Sequence, residues 1–198
     1  GNAIRGAGEK ALAMWKDEAR PVVAEYNFTP PKTTPYHPET GESIPNFAYG
    51  YIANTIDLEV DIETGQIKIL DVVCVDDVGN AINPQQIIGQ IEGCIVQAAG
   101  YTILENFIQE EGMVKTSQFS TYLIPTILDI PKNIKSVLVE SNDLVGPWGA
   151  KGMAEMPFLP FTPAVMDALH QATCVWFDKF PLTPERVLAG IEEAAASN

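Results

Sequence analysis

One acidic residue stands in an otherwise apolar segment near the C-terminal end of the chain. Glu155 is flanked by Met153, Met156 and Phe158, with Pro157 and Leu159 close by. Burial among such neighbours disfavours a charged carboxylate, so this side chain could accept a proton near neutral pH. The segment predicts a general base at Glu155. An exposed or helix-capping glutamate beside a tight turn is an equally good interpretation of the spacing alone.

A glycine-rich turn precedes this glutamate. Gly146, Gly149 and Gly152 fall within seven residues, and Lys151 lies between the last two. Closely spaced glycines allow successive backbone N–H groups to point into one concavity, which is a common anion-binding arrangement, and the lysine would add positive charge. A P-loop needs four residues between its first glycine and the Gly-Lys pair, so this turn is not one. The spacing predicts an anion site of another kind.

A long helix is expected to begin at Asn83-Pro84 and to extend to about Leu104. Its apolar residues share one face and are expected to be buried: Ile87, Ile91, Cys94, Ile95 and Ala98. A neighbouring face carries amides and glycines: Gln86, Gln90, Gly93, Gln97 and Gly100. Each helical glycine costs about 1 kcal/mol relative to alanine, so a close approach must compensate. A planar polar ligand on this face is one interpretation; a packed helix with solvated glutamines is the other.

The elements that must position these residues indicate an α+β fold, with a β-hairpin or mixed sheet packed against long helices. The hairpin is expected to join 47–60 to 67–75 through a turn that ends at Gly65. Residues 22–28 are strand-like, and another strand is expected at 134–140. Further helices are predicted at 3–19, at 164–179 after an N-cap at Thr162, and at 184–195. Residues 29–45 hold five of the fifteen prolines, which is typical of a loop or of an arm laid across a partner subunit.

The composition narrows the choice of partners. The 198 residues carry 12 Lys and Arg against 26 Asp and Glu, a net charge of −14, which disfavours nucleic acid and anionic membranes. No run reaches the ~18 to 20 apolar residues of a membrane span.

The three cysteines lack C-x-x-C spacing, which indicates a reducing compartment such as the cytoplasm. His170 and Cys174 could form half of a metal site, but a core pair explains them more simply, so no protein-ligated metal is expected.

Several ordered segments together resemble one enzyme family. Residues 77–84, 89–93, 96–97 and 149–155 are similar to the C-terminal molybdopterin-binding part of the xanthine dehydrogenase and aldehyde oxidase family. The turn at 60–65 and the segment 182–187 are similar to that family too, so the resemblance covers nearly the whole chain. It implies that residues 1–198 form a single C-terminal portion of the family's cofactor-binding domain.

The resemblance assigns roles to particular residues. Glu155 matches the catalytic glutamate, the base that takes a proton from a molybdenum-bound hydroxyl, and Gln97 matches a glutamine that hydrogen-bonds the pterin. Four consecutive residues match the stretch whose backbone lies along the cofactor: Lys151, Gly152, Met153 and Ala154. Ala154 and Ala98 stand where the family usually has glycine, and their methyl groups are expected to change the contacts of the backbone.

The implied function is part of a molybdenum hydroxylase that oxidises an aldehyde or an N-heterocycle with oxygen derived from water. The implied cofactor is molybdenum–molybdopterin, shared with regions outside this chain, while iron–sulfur centres and FAD are expected only on partner subunits or domains. Because the family's molybdenum subunit is several times longer, the chain is expected to be inactive alone. The alternative is a non-catalytic assembly or interaction fragment.

Overall fold

The computed structural model describes residues 1–17 and 20–196, and it confirms the α+β class. The chain forms two compact units. The first comprises Gly1–Gly50, Asp77–Ile82 and Glu140–Gly152, and the second comprises Tyr51–Asp76, Asn83–Val139 and Met153–Asn198. The glycine-rich turn therefore belongs to the first unit, whereas Gln97 and Glu155 belong to the second.

The second unit is built on the predicted hairpin. Strands β1 (Ile52–Val60) and β2 (Ile67–Asp77) are antiparallel, and the sheet order is β1-β2-β5, with β5 at Asn133–Val139. Strand β1 begins later than predicted. Two further strands form a separate antiparallel pair, β3 (Gln109–Glu110) with β4 (Met113–Val114). At the hairpin turn Gly65 has φ +75°, and a Cβ there would lie 2.1 Å from the carbonyl oxygen of Pro184, so the turn requires glycine.

The helix that carries Gln97 packs against this sheet. Helix α2 covers Pro84–Ala99, is capped by the Asn83 side chain, and continues as a π-helical turn over Gly100–Leu104. Four of the five residues of the predicted apolar stripe are buried: Ile91, Cys94, Ile95 and Ala98 are at most 5% exposed. The fifth, Ile87, is half-buried and packs against the core. By length and composition alone the segment Pro84–Leu104 could cross a membrane, which the sequence prediction missed. Its apolar stripe, however, is part of the protein core.

Two more helices complete the second unit. Helix α3 (Phe161–Thr173) packs on β1, and helix α4 (Pro184–Ala196) follows as predicted. Helix α3 differs from the prediction at both ends. It begins after Pro160 rather than Thr162, and it ends at Thr173 because Cys174 adopts a left-handed backbone conformation with φ +59°. A left-handed residue at this position stops the hydrogen-bond ladder of a helix.

The first unit contains helix α1 (Asn2–Lys16), followed by a long irregular segment. Within the described residues, the strand expected at 22–28 does not form, so that prediction is wrong. This stretch packs against α1 instead of pairing in a sheet: the Tyr26 ring fills the space beside Gly6 and lies under the ammonium group of Lys10. The last two residues of the predicted first helix, Glu18 and Ala19, lie outside the described residues. The proline-rich segment 29–45 contains one isolated β-bridge, and it forms neither a helix nor an extended strand.

Candidate cofactor site

A cavity of about 700 Å³ in the second unit brings two of the predicted site residues together. Gln97, from α2, and Glu155, from the turn before α3, both line it, and both side chains are exposed. The remaining wall is largely apolar and aromatic: Val96, Tyr101, Glu105, Ile124, Pro125, Phe158 and Leu159. An amide, a carboxylate and aromatic faces around one opening can bind a planar polar ligand.

Glu155 is exposed, so the predicted burial in an apolar wall is wrong. Its neighbours account for this difference, because Met153 packs on the core and Pro157 is buried, while the backbone turns at the glutamate itself. The amide of Phe158 donates to the carbonyl oxygen of Glu155 at 3.1 Å and closes this turn. Met153 and Pro157 therefore point inward, while Glu155 lines the cavity together with Phe158 and Leu159.

The amide-rich face of α2 is open. Gln86, Gln90 and Gln97 are exposed, and within the described chain no atom lies within 4 Å of a Cβ added at Gly89 or Gly93. These observations do not favour a packed helix on this face. Gly100 has a different role, since a Cβ there would lie 2.6 Å from Cγ of the Pro125 ring, so this glycine is required by internal packing.

The sequence prediction missed two polar residues of the cavity, Tyr101 and Glu105. They follow Gln97 at i+4 and i+8, so helical spacing would have placed all three on one face. The Tyr101 ring lies 5.7 Å from the Phe158 ring, between centroids. Glu105 Oε2 accepts a hydrogen bond of 2.5 Å from the hydroxyl of Tyr122, which is the main reason that the pKa of Tyr122 is raised. No spacing signal connects Tyr122 to this site.

The glycine-rich turn of the first unit does not form the predicted anion site. Lys151 Nζ donates to Asp77 Oδ2 at 2.5 Å, and these side chains are only 9% and 11% exposed. Burial alone would raise the pKa of Asp77, but hydrogen bonds from Lys151 and from the amide of Gly79 lower it overall. The positive charge of Lys151 is therefore paired with Asp77 inside the first unit.

The backbone of this turn is also engaged. The amides of Gly149, Ala150 and Lys151 donate to the carbonyl oxygens of Gly146, Pro147 and Val78, respectively. Three N–H groups that could have faced an anion are thus satisfied within the unit.

The four residues matched to the cofactor-lining stretch divide between the units. Lys151 and Gly152 belong to the first unit, while Met153 and Ala154 belong to the second. Gly152 and Ala154 are exposed, and Met153 is half-buried. The Ala98 methyl group lies in the core, because Ala98 is 0% exposed, so this departure from the family pattern is accommodated by packing.

No group of three potential metal ligands occurs in the part of the chain that the structure describes. The core pair predicted for His170 and Cys174 is not formed, since Cys174 is exposed at the end of α3. The His170 ring instead stacks on Trp176 at 4.0 Å. The side chains at the cavity offer hydrogen-bond donors and acceptors, and its two carboxylates, Glu105 and Glu155, are fewer than the three ligands of a protein-held metal site. This chemistry fits an organic cofactor that brings its own metal.

A protein-family comparison identifies the domain to which most of the chain belongs. The family described as a molybdopterin cofactor-binding domain matches residues 4–131. The chain therefore belongs to the molybdopterin cofactor-binding domains of the xanthine dehydrogenase and aldehyde oxidoreductase family. The resemblance predicted from the sequence is confirmed.

Individual relatives support the same family. The chain is 36% identical over 156 residues to the probable hypoxanthine oxidase XdhD of Escherichia coli (strain K12), covering 78% of this chain and 16% of that protein. It is 33% identical over 192 residues to a probable xanthine dehydrogenase subunit of Bacillus subtilis (strain 168), covering 96% and 25%. The chain thus spans a quarter or less of the length of these relatives.

The fold is similar to that of a solved enzyme. The aldehyde oxidoreductase from Desulfovibrio gigas superposes with a TM-score of 0.83 at 27% identity, covering 96% of this chain and 22% of that one. A similarity that includes nearly the whole chain indicates that both units occur in the fold of that relative.

Proposed function

We propose that this chain supplies the base and part of the cofactor site of a molybdenum hydroxylase that oxidises an aldehyde or an N-heterocycle. The observation that carries the proposal is the cavity of about 700 Å³ in which Gln97 and Glu155 meet. Residues that are 58 positions apart in sequence line one opening, next to aromatic side chains and the open backbone of α2.

Each residue has a stated role in this proposal. The Gln97 amide would exchange hydrogen bonds with the pterin, and the backbone of Lys151, Gly152, Met153 and Ala154 would line the cofactor. When bound, the cofactor would supply the two-electron redox chemistry, which protein side chains do not provide. Glu155 would accept at its carboxylate the proton of the water-derived oxygen that attacks the substrate. The aromatic wall excludes water from the reacting atoms.

The carboxylate does not need burial within this chain to act as a base. A general base must reach the proton that it abstracts, and apo geometry often leaves such a group open until the site is completed. The exposed position of Glu155 at the cavity mouth meets this requirement.

The chain is proposed to work inside a larger assembly. Large apolar side chains remain more than two-thirds exposed in both units: Ile4, Val23, Phe119, Ile127, Leu128, Leu144 and Leu159. Extensive exposed apolar surface marks contact with other protein. We propose that it contacts the remainder of the molybdenum subunit, that electrons leave through iron–sulfur and flavin partners, and that the complex is cytoplasmic.

The test of the base is Glu155→Gln in the complete enzyme. Turnover should fall about 10²- to 10⁴-fold, the range that general base catalysis contributes, while molybdenum content stays at the wild-type level. Glu59→Gln is the matched control, because Glu59 is an exposed glutamate on β1 and does not line the cavity. Turnover of Glu155→Gln close to that of the control would overturn the assignment.

A second candidate function, a non-catalytic assembly fragment, is favoured by the same exposed apolar surface. It predicts that the purified chain contains neither molybdenum nor pterin and self-associates. It also predicts that Glu155→Gln leaves the turnover of the complete complex unchanged, which separates the two functions.

A further inference from the structure

We infer that Cys94 and Asn54 are positioning residues that hold the turn carrying Glu155 from two sides. The inference rests on the proposed function insofar as it treats Glu155 as the base. It concerns side chains that the cofactor-site assignment does not include and that belong to different elements, α2 and β1.

The first anchor comes from the helix. Cys94 lies in the buried stripe of α2 and is 5% exposed, and its Sγ–H donates to the carbonyl oxygen of Ala154 at 3.1 Å. The acceptor belongs to the residue directly before Glu155. Because Cys94 is buried in the core, this hydrogen bond holds the backbone directly before Glu155 in a fixed position relative to α2.

The second anchor comes from the sheet. Asn54 Nδ2 donates to the carbonyl oxygen of Pro157 at 3.0 Å, two residues after Glu155. Only the nitrogen end of an amide can donate to a carbonyl, which fixes the amide orientation. The other end, Oδ1, is buried and has no hydrogen-bond partner among the described residues. An unsatisfied buried acceptor is unfavourable, so the orientation is set by the bond to the turn.

The two anchors bracket the glutamate. They fix the carbonyl groups of Ala154 and Pro157, and the turn between them is closed by the amides of Phe158 and Leu159, which donate to Glu155 and Met156. A short turn without regular neighbours would otherwise fray, and a misplaced base loses catalytic efficiency steeply with distance.

The thiol remains a donor over a wide pH range. Burial, followed by the negative charges of Glu155 and Asp76, raises the pKa of Cys94 above its ordinary value. The group that faces the turn therefore stays protonated at and above neutral pH, and the hydrogen bond to Ala154 persists there.

The first experiment needs only the chain itself. Hydrogen exchange of the Phe158 and Leu159 amides should be about tenfold faster in Cys94→Ala and in Asn54→Ala, as expected for the loss of one hydrogen bond. Cys94→Ser keeps a donor and should restore most of the protection. Val187→Ala is the core control, since Val187 is fully buried but belongs to α4 rather than to the elements that carry the two anchors, and it should leave these two amides unchanged.

The second experiment uses the complete enzyme. Cys94→Ala and Asn54→Ala should each lower kcat about tenfold or more with KM within about twofold of wild type, because the base moves while substrate binding is kept. Molybdenum content should be unchanged, and Cys94→Ser should recover kcat. Unchanged kcat, or a loss equal to that of Val187→Ala, would overturn the inference.

The two experiments separate this inference from the proposed function. If Glu155→Gln retains turnover while the exchange rates rise as expected, the base assignment fails and the anchors still hold the turn. If Glu155→Gln loses turnover while the anchor variants keep both amide protection and kcat, the positioning roles fail and the base assignment stands.

Discussion

Two segments of this chain carry similar chemical signals in sequence and differ in structure. In sequence, the glycine-rich turn of the first unit offers a lysine and several backbone amides to a ligand. In the structure, Lys151 is paired with Asp77, and the amides donate to backbone carbonyl oxygens of the same unit. At the cavity of the second unit, Gln97 and Glu155 are exposed. Polar groups that are satisfied internally maintain a structure, whereas polar groups left open at a cavity are available to a ligand.

This difference predicts opposite consequences for mutation. Removing an internally satisfied charge should lower the free energy of unfolding, while removing an open cavity residue should leave folding intact and change only binding or turnover. The following experiments test the two segments in order of expected effect.

The largest effect is expected for Lys151→Met. It leaves the carboxylate of Asp77 buried without its cation, and breaking a buried ion pair in this way costs about 3 to 5 kcal/mol. The free energy of unfolding can be measured by chemical denaturation. Arg5→Met is the matched control in the same unit, since the Arg5–Glu9 pair is exposed and should contribute less than about 1 kcal/mol. Equal effects of both variants would contradict the comparison.

Gly79→Ala should lower the free energy of unfolding by about 2 kcal/mol or more. Gly79 has φ +65°, a conformation that costs other residues about 1 to 2 kcal/mol, and an added Cβ would lie 2.3 Å from the carbonyl oxygen of Gly149. Gly152→Ala is the control, because a Cβ there meets no atom within 4 Å among the described residues beyond its chain neighbours; its effect should stay within about 0.5 kcal/mol. Similar denaturation midpoints for both variants would show that the turn is not tightly closed.

The stability difference between wild type and Lys151→Met should depend on pH. The pKa of Asp77 in the folded state lies below the ordinary value of 3.8, so the contribution of the ion pair is present above that value and is lost as the pH falls through the folded-state pKa. Denaturation curves at about pH 7 and about pH 3 should therefore show a large difference and a smaller one, respectively. A difference that does not change with pH would exclude Asp77 as the partner that matters.

The smallest effect on folding is expected for Gln97→Ala. Gln97 is exposed at the cavity, so its removal should change the free energy of unfolding by less than about 0.5 kcal/mol. In the complete enzyme the same variant should lower the molybdenum and pterin content, measured against Gln86→Ala, an exposed glutamine outside the cavity lining. Strong destabilisation of the free chain would place Gln97 with the internally satisfied residues instead.

Much of the second unit could be predicted from sequence because its signals are local. The hairpin turn at Gly65 and the apolar stripe of α2 depend on neighbouring residues, and both are confirmed. The prediction of a strand at 22–28 is wrong because a strand needs a neighbouring strand to pair with. In this unit Tyr26 packs against α1 instead. The end of α3 was not predicted because no residue pattern indicates that Cys174 adopts a left-handed backbone conformation.

The sequence by itself determined the family, the α+β class and the residue types that a cofactor site needs, because these follow from ordered motifs and local periodicity. Only the tertiary structure decided which polar groups are open. It paired Lys151 with Asp77, turned Glu155 outward to the cavity that Gln97 lines, and placed Cys94 beside the carbonyl group of Ala154. Such pairings depend on contacts between residues far apart in the chain, which spacing along the sequence does not record.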